Sequence, residues 1–180
     1  DESARVEKEF CKLKEILSEY IYSEHEDTLQ DNIGRLLNKA GKTISAAESC
    51  TGGMISHLFT SVPGSSAYFL GSVTSYSNSV KESVLNVPAE IINSHGAVSS
   101  ECAAAMAEGV RILTGSDFAV STTGIAGPTG GSKEKPVGTV WIGVSSELGT
   151  ETYKIQYNGD RQRNIERSSA YALHLIRKKI

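Results

Sequence analysis

What most constrains this chain is a hydrophobic period that switches repeatedly between that of a helix and that of a strand. Leu29, Ile33, Leu36, Leu37 and Ala40 recur at i, i+4, i+7, i+8 and i+11 and stop at Gly41, which predicts an amphipathic helix with a C′ glycine. Residues 43–47 then form a short β-like run, and Glu48-Ser49-Cys50-Thr51-Gly52-Gly53 leads into a helical stretch over 54–59. A loop over 61–66 precedes strand character over 67–76. Ser77 is placed to cap a helix through Leu85, Pro88 opens another in its first turn, and Ser99 or Ser100 caps an Ala-rich helix ended by Gly115. Residues 117–123 read as a buried strand, 124–131 as a Gly-rich loop, and 137–145 with 151–157 as a hairpin around Leu148-Gly149-Thr150. Asp160 caps a final helix with Ala170, Leu173 and Ile176 on one face. Strands interleaved with helices predict an α/β layered fold, and the hairpin makes its sheet mixed.

Residues 1–25 read as a polar helix with a thin apolar stripe, Phe10, Leu13, Ile16, Leu17 and Tyr20, and a break follows at Glu24-His25-Glu26-Asp27. This segment is a linker helix or a packing arm. A length of 180 residues suits one domain, large enough to bury a core without metal or disulfide staples. The net charge of −3 supplies no basic field, which argues against nucleic-acid binding as the main task. Three widely spaced cysteines, Cys11, Cys50 and Cys102, make neither a disulfide framework nor a zinc ribbon, so a reducing cytoplasm is expected. No apolar run approaches membrane-spanning length and no leader pattern is present. The chain opens at Asp1 rather than Met, so it is expected to be cut from a longer protein.

Several familiar motifs fail on inspection. Gly41-Lys42-Thr43 resembles the end of a phosphate-binding loop, but Leu36 stands where its first glycine belongs. No Gly-x-Gly-x-x-Gly string occurs, so a dinucleotide cofactor is not expected. His25, His57, His95 and His174 lack ligand spacing, and no metal site is expected. A Ser–His–Asp triad from Ser49, His57 or His95, and Asp117 lacks the nucleophile elbow. Cys50 is a nucleophile only if its thiol ionises, and a buried, inert thiol is the simpler state. The string over 47–53 has two readings: an ordinary capped turn, or a site where hydroxyls and free helix N–H groups face an oxygen or anion. Lys81 by itself is unremarkable, and spacing alone does not bring it to Ser49, 32 residues away. Glycine at four of the eight positions 124–131 suits a surface turn or close approach of backbone to a ligand. Arg161, in Gly159-Asp160-Arg161, sits in a turn and helix cap, or presents its fork to a phosphate.

In their order along the chain these strings carry more information. Ala47-Glu48-Ser49-Cys50-Thr51-Gly52-Gly53, Tyr76-Ser77-Asn78 with Lys81, His95-Gly96-Ala97-Val98-Ser99, Gly124-Ile125-Ala126-Gly127-Pro128, Gly130-Gly131 with Lys135-Pro136-Val137-Gly138-Thr139-Val140, and Gly159-Asp160-Arg161 resemble the CinA C-terminal domain family, the nicotinamide mononucleotide deamidases. The resemblance runs from about Thr28 to the C-terminus, and the first 27 residues look like the helix that connects this domain to an N-terminal CinA domain.

The resemblance implies a three-layer α/β/α fold with a mixed sheet, with residues 28–180 as the domain and 1–27 as a linker or arm helix. It also implies an amidohydrolase that converts nicotinamide mononucleotide to nicotinate mononucleotide and ammonia, in pyridine nucleotide recycling. Carried over by motif, Ser49 is the nucleophile and Lys81 its base, with Tyr76 beside them among the catalytic residues. Thr51, Gly52, Gly53, Asn78, Thr123, Gly124, Gly127 and Arg161 then bind substrate, with N–H groups near Thr51 to Gly53 meeting the oxyanion. No metal or redox cofactor enters. The partners implied are a nucleotide substrate and other copies of the chain, with neither nucleic acid nor membrane.

Two positions depart from the pattern: Ile165 stands where many relatives have an arginine, and Ser75 where threonine is usual. Arg163 and Arg167 flank Ile165 two residues away, a rotation of about 200° on a helix, so neither simply replaces the missing side chain. Two further readings compete with this one. One is a serine hydrolase for another amide, and the other a non-catalytic oligomerisation or regulatory module.

Overall fold

The computed structural model describes residues 2–24 and 26–180. Asp1 and His25 lie outside the described residues, and with them the two corresponding positions of the expected N-terminal helix and its break. In chain order the elements are α1 (Glu2–Ile16), α2 (Leu29–Ala40), β1 (Ile44–Glu48), α3 (Met54–Thr60), β2 (Phe69–Thr74), α4 (Asn78–Leu85), α5 (Ala89–His95), α6 (Ser100–Thr114), β3 (Phe118–Gly124), β4 (Thr139–Ser146), β5 (Gly149–Gln156) and α7 (Arg161–Arg177).

Local chemistry sets most of these boundaries. Thr28 and Asp31 form a reciprocal capping box at the start of α2, and left-handed Gly41 ends it. The hydroxyls of Ser77 and Ser99 and the carboxylate of Asp160 cap α4, α6 and α7 by accepting from the N–H three residues on. Between Ser99 and Ser100, therefore, Ser99 is the cap. Pro88 sits at the N-cap position of α5, one residue earlier than a first-turn proline. The strand expected over 67–76 is shorter, because a 3₁₀ turn over Ser65–Ala67 takes up its start.

The five strands form one sheet in the order β2-β1-β3-β4-β5. β1 pairs in parallel with β2 and β3, and β4 runs antiparallel between β3 and β5, so the sheet is mixed. Alternation along β1 splits the core. Ile44 and Ala46 pack with Ile33, Leu37, Ile55, Phe59, Leu173 and Ile176 from α2, α3 and α7. Ala47, one residue on, joins Leu85, Cys102, Met106 and Val110 from α4 and α6 on the other face. The fold is therefore α/β/α, with α1 ahead of the layers.

The buried face of α7 differs from its apolar pattern. Ala170 is exposed, and the face turned inward carries Asn164, Ser168 and Ser169 as well as Ala172, Leu173 and Ile176. The two serines are compatible with burial because each hydroxyl donates to the carbonyl one turn back, on Asn164 and Ile165. No helix among the described residues is long and apolar enough to cross a membrane.

Asp117 locks β1 to β3 at the end of the sheet away from Ser49. Its carboxylate accepts from Lys42 Nζ, the Thr43 N–H and the Thr43 hydroxyl, each at 2.8 Å. The Lys42 bond foremost, with the Thr43 donors, holds its pKa down at about 2. A depressed carboxylate pKa stabilises the fold above the unfolded value and loses that contribution as pH falls through the folded one. Asp117→Asn is expected to cost about 1–2 kcal/mol at pH 7 in urea denaturation. The gap to wild type should narrow as pH falls from about 4 toward 2.

Candidate active site

Strand order reverses between β1 and β3, because the chain leaves β1 toward β2 and returns to the other side of β1. Ligand crevices in open α/β sheets form at such a point, outside the carboxyl ends of the strands. Ser49 follows β1 there, and Gly124 ends β3 beside it. A cavity of about 210 Å³ opens at this point, lined by residues that include Ser49, Lys81, Tyr76, Asn78, Thr123 and Arg161.

The residue pair left 32 positions apart by the sequence meets here. Lys81, on the first turn of α4, is 1% exposed, and its Nζ donates to Ser49 Oγ at 3.1 Å and to the Ser75 carbonyl at 2.7 Å. Burial lowers the Lys81 pKa below its ordinary value of 10.5, since the ammonium loses hydration. No Asp or Glu lines the cavity, so no carboxylate at the site restores the charged form. The pair has the parts of a nucleophile and its base: a hydroxyl, an amine biased toward neutrality, and a carbonyl that orients the amine.

Cys50 also reaches the cavity, but burial pushes its thiol up to about 12, so it holds no useful thiolate at neutral pH. The triad alternative does not assemble at this cavity, since neither His57, His95 nor Asp117 lines it. Among the described residues no group of three or more His, Cys, Asp or Glu is placed to hold a metal ion.

The remaining expected site residues divide. Asn78, Thr123, Gly124 and Arg161 line the cavity, whereas Thr51, Gly52, Gly53 and Gly127 do not. The Thr123 hydroxyl donates to the Ala97 carbonyl at 2.7 Å, which leaves its lone pairs as acceptors. Arg161 spans the mouth, donating to Gly127 O at 2.8 Å and to the Tyr76 hydroxyl at 3.1 Å. Tyr76 is 63% exposed, so its hydroxyl belongs to the rim with Arg161 rather than to the Ser49–Lys81 pair. Ile165 packs against the core under α7; Arg163 pairs with Asp160, and Arg167 lies over the Tyr157 ring.

The expectation that N–H groups of this turn meet an oxyanion needs correction at two glycines. The Gly53 N–H donates to Glu48 Oε2 at 3.0 Å, and the Gly52 N–H is turned back to the Ser49 carbonyl at 3.3 Å. The amide of Ser49 itself donates to Thr122 O at 2.9 Å. Thr51 spends its hydroxyl on Glu48 and Thr122, both at 2.7 Å.

Glu48 is the residue that sequence reasoning missed. It is fully buried, and its two oxygens accept from the Thr51 hydroxyl, the Gly53 and Ile55 N–H groups, and the N–H and hydroxyl of Ser56. It therefore satisfies the start of α3 and fixes the turn that carries Ser49. The signal was available: a single acid ends an otherwise uncharged strand, one short turn before a helix.

Comparison with known proteins identifies the family and the fold. The CinA C-terminal domain family matches residues 26–180. A CinA-like protein of Cytophaga hutchinsonii is 44% identical over 177 residues, 98% of this chain and 42% of the relative. Another, from Desulfotalea psychrophila, is 47% identical over 166 residues, 92% of this chain and 40% of the relative. The chain thus spans about two fifths of the length of these curated relatives. Among solved structures, the competence damage-inducible protein A of Klebsiella pneumoniae superposes with a TM-score of 0.81 at 34% identity, covering 84% of this chain and 94% of that one. The competence/damage-inducible protein CihA of Agrobacterium tumefaciens gives 0.78 at 33% identity, over 86% of this chain and 97% of that one.

Proposed function

This chain belongs to the CinA C-terminal domain family, and from that premise we propose that it hydrolyses the carboxamide of nicotinamide mononucleotide to nicotinate mononucleotide and ammonia. The observation that carries the reading is the buried Lys81 Nζ, 3.1 Å from Ser49 Oγ in a cavity with no acid in its lining. In this reading residues 28–180 are the catalytic domain and 1–27 an arm.

Neutral Lys81 takes the Ser49 proton as Oγ bonds to the amide carbonyl carbon. The resulting Lys81 ammonium returns that proton to the departing nitrogen, which leaves as ammonia, and Ser49 carries the acyl group as an ester. Water, deprotonated by Lys81, attacks the ester; Lys81 gives that proton back to Ser49, and the acid product releases its own proton to solvent and leaves as the carboxylate. Thr123, with only lone pairs to offer, suits the amide N–H, and the Asn78 side-chain amide suits the carbonyl oxygen. Arg161 supplies a cation at the mouth for the phosphate, with Tyr76 beside it to pack the substrate.

The test is ammonia and nicotinate mononucleotide formed in equal amounts from nicotinamide mononucleotide by the purified chain. No turnover by folded protein refutes the reading. The pH dependence should follow Lys81. Its neutral form is the base, so kcat/KM rises with pH through a midpoint below 10.5 and then levels off. Lys81→Arg, always protonated, should show no such limb and no turnover.

A second reading, an assembly or regulatory module, is favoured by α1. This helix buries none of its residues and exposes Val6, Phe10, Leu13 and Ile16. It predicts fewer copies per particle in solution on deleting 1–27, and no ammonia from any amide.

A further inference from the structure

One buried side chain outside the cavity ties together the two segments that form its outer wall. Asn164, 1% exposed in the first turn of α7, donates from Nδ2 to the Ala126 carbonyl and to the Gly159 carbonyl, both at 3.0 Å. Its Oδ1 accepts the Gly159 N–H at 3.2 Å. A single carboxamide therefore joins the loop after β3 to the turn that launches α7. Ala126 lines the cavity, and Arg161 begins α7 two residues after Gly159. Arg161 in turn donates to Gly127 O, the residue after Ala126.

We propose that Asn164 is a positioning residue for the anion end of the substrate: through Ala126 and Gly159 it sets where Arg161 presents its guanidinium, without touching substrate itself. This inference rests on the amidase reading above for the identity of the anion, a phosphate monoester.

The chemistry of the spot selects this side chain. Two carbonyl oxygens and one N–H converge on it, and only an amide offers both donors and an acceptor there. Aspartate would set a charged oxygen against two carbonyl oxygens, and an apolar residue would leave buried groups unpaired. Gly159 completes the device. Its backbone lacks the positive φ that usually calls for glycine, but a Cβ there would stand 2.9 Å from Asn164 Oδ1. The glycine of the Gly159-Asp160-Arg161 string thus serves close approach to Asn164. A free arginine loses rotamer entropy when it is fixed, so a guanidinium already held at Gly127 O and Tyr76 loses less on meeting its ligand.

The experiment compares Asn164→Asp with wild type on nicotinamide mononucleotide and on nicotinamide riboside, which lacks the phosphate. The expected result is a KM for the mononucleotide raised about tenfold, with kcat for both substrates and KM for the riboside within about threefold of wild type. Combined with Arg161→Ala, Asn164→Asp should add little further loss, because both changes remove the same contact. Equal losses on both substrates, or full additivity with Arg161→Ala, would overturn the proposal in favour of a purely structural role. Should Asn164→Asp not fold, Gly159→Ala disturbs the same contact from the other side and carries the same expectations. Binding of ribose 5-phosphate, measured by calorimetry, separates this inference from the amidase reading. If wild type turns over no amide yet binds ribose 5-phosphate about tenfold more tightly than the variant, the amidase reading fails and the positioning role stands. Equal affinity overturns the positioning role whatever the turnover.

Discussion

Replacing Ser49 with alanine is expected to leave a folded chain whose turnover of nicotinamide mononucleotide is at least about 10³-fold below wild type, because the group that forms the acyl bond is gone. The fold should barely register the change. Ser49 Oγ receives one hydrogen bond from Lys81, and Lys81 keeps its stronger bond to the Ser75 carbonyl, so the stability cost stays within about 1 kcal/mol. Lys81→Met removes the base instead and should be equally inactive. Its stability should stay within about 1 kcal/mol of wild type, since relief of the desolvation that Lys81 bears offsets the Ser75 carbonyl left without its donor. Loss of ammonia release without loss of stability in both variants would separate catalysis from packing. Residual turnover near wild type in Ser49→Ala would remove Ser49 as nucleophile.

Glu48→Ala is expected to do the reverse and damage the fold first. It strips acceptors from three N–H groups at the start of α3 and from the hydroxyls of Thr51 and Ser56. The hydroxyls keep other partners in Thr122 and Ser72, so the lasting cost falls on the N–H groups of Gly53, Ile55 and Ser56. With about 1–3 kcal/mol for each buried orphan, and partial rescue by entering water, the loss should reach about 3–4 kcal/mol. That corresponds to a melting temperature roughly 10 °C lower for a domain of this size. Glu48→Gln keeps the shape but faces donors with donors at one of its two heads, so it should fall between wild type and alanine. Activity should drop with stability, because the turn that Glu48 holds is the one that carries Ser49. An alanine variant as stable as wild type in urea would mean that the start of α3 finds its acceptors elsewhere.

The contrast between these two positions shows which information was local. The turn over 47–53 stood out because hydroxyls and glycines crowd a strand-to-helix junction, a pattern written in seven consecutive residues, and the family resemblance then singled out Ser49 within it. Glu48 did not, because an acid at the end of a strand reads as exposed until the turn folds over it and offers five donors. Ala170 erred in the opposite sense: its apolar side chain suggested burial, yet the small serines of α7 pack inward because their hydroxyls are satisfied within the helix. Gly53 resembled an oxyanion donor for the same reason that it is not one, since a free helix N–H attracts any nearby acceptor and Glu48 arrives first.

The sequence by itself determined the order and kind of the elements, their caps, the layered fold and the family, because capping, turn chemistry and hydrophobic period act over a few residues. Only the tertiary structure decided that Lys81 reaches Ser49, that Arg161 and Tyr76 share the rim, and that Asn164 stands behind both cavity wall and helix. Those contacts join residues 32, 85 and 38 positions apart. They exist because parallel strands with a reversed order bring the loops after β1 and β3 to one place. The lowered pKa of Lys81 belongs to the same class, since burial is a property of the packed sheet and helices and not of the residue.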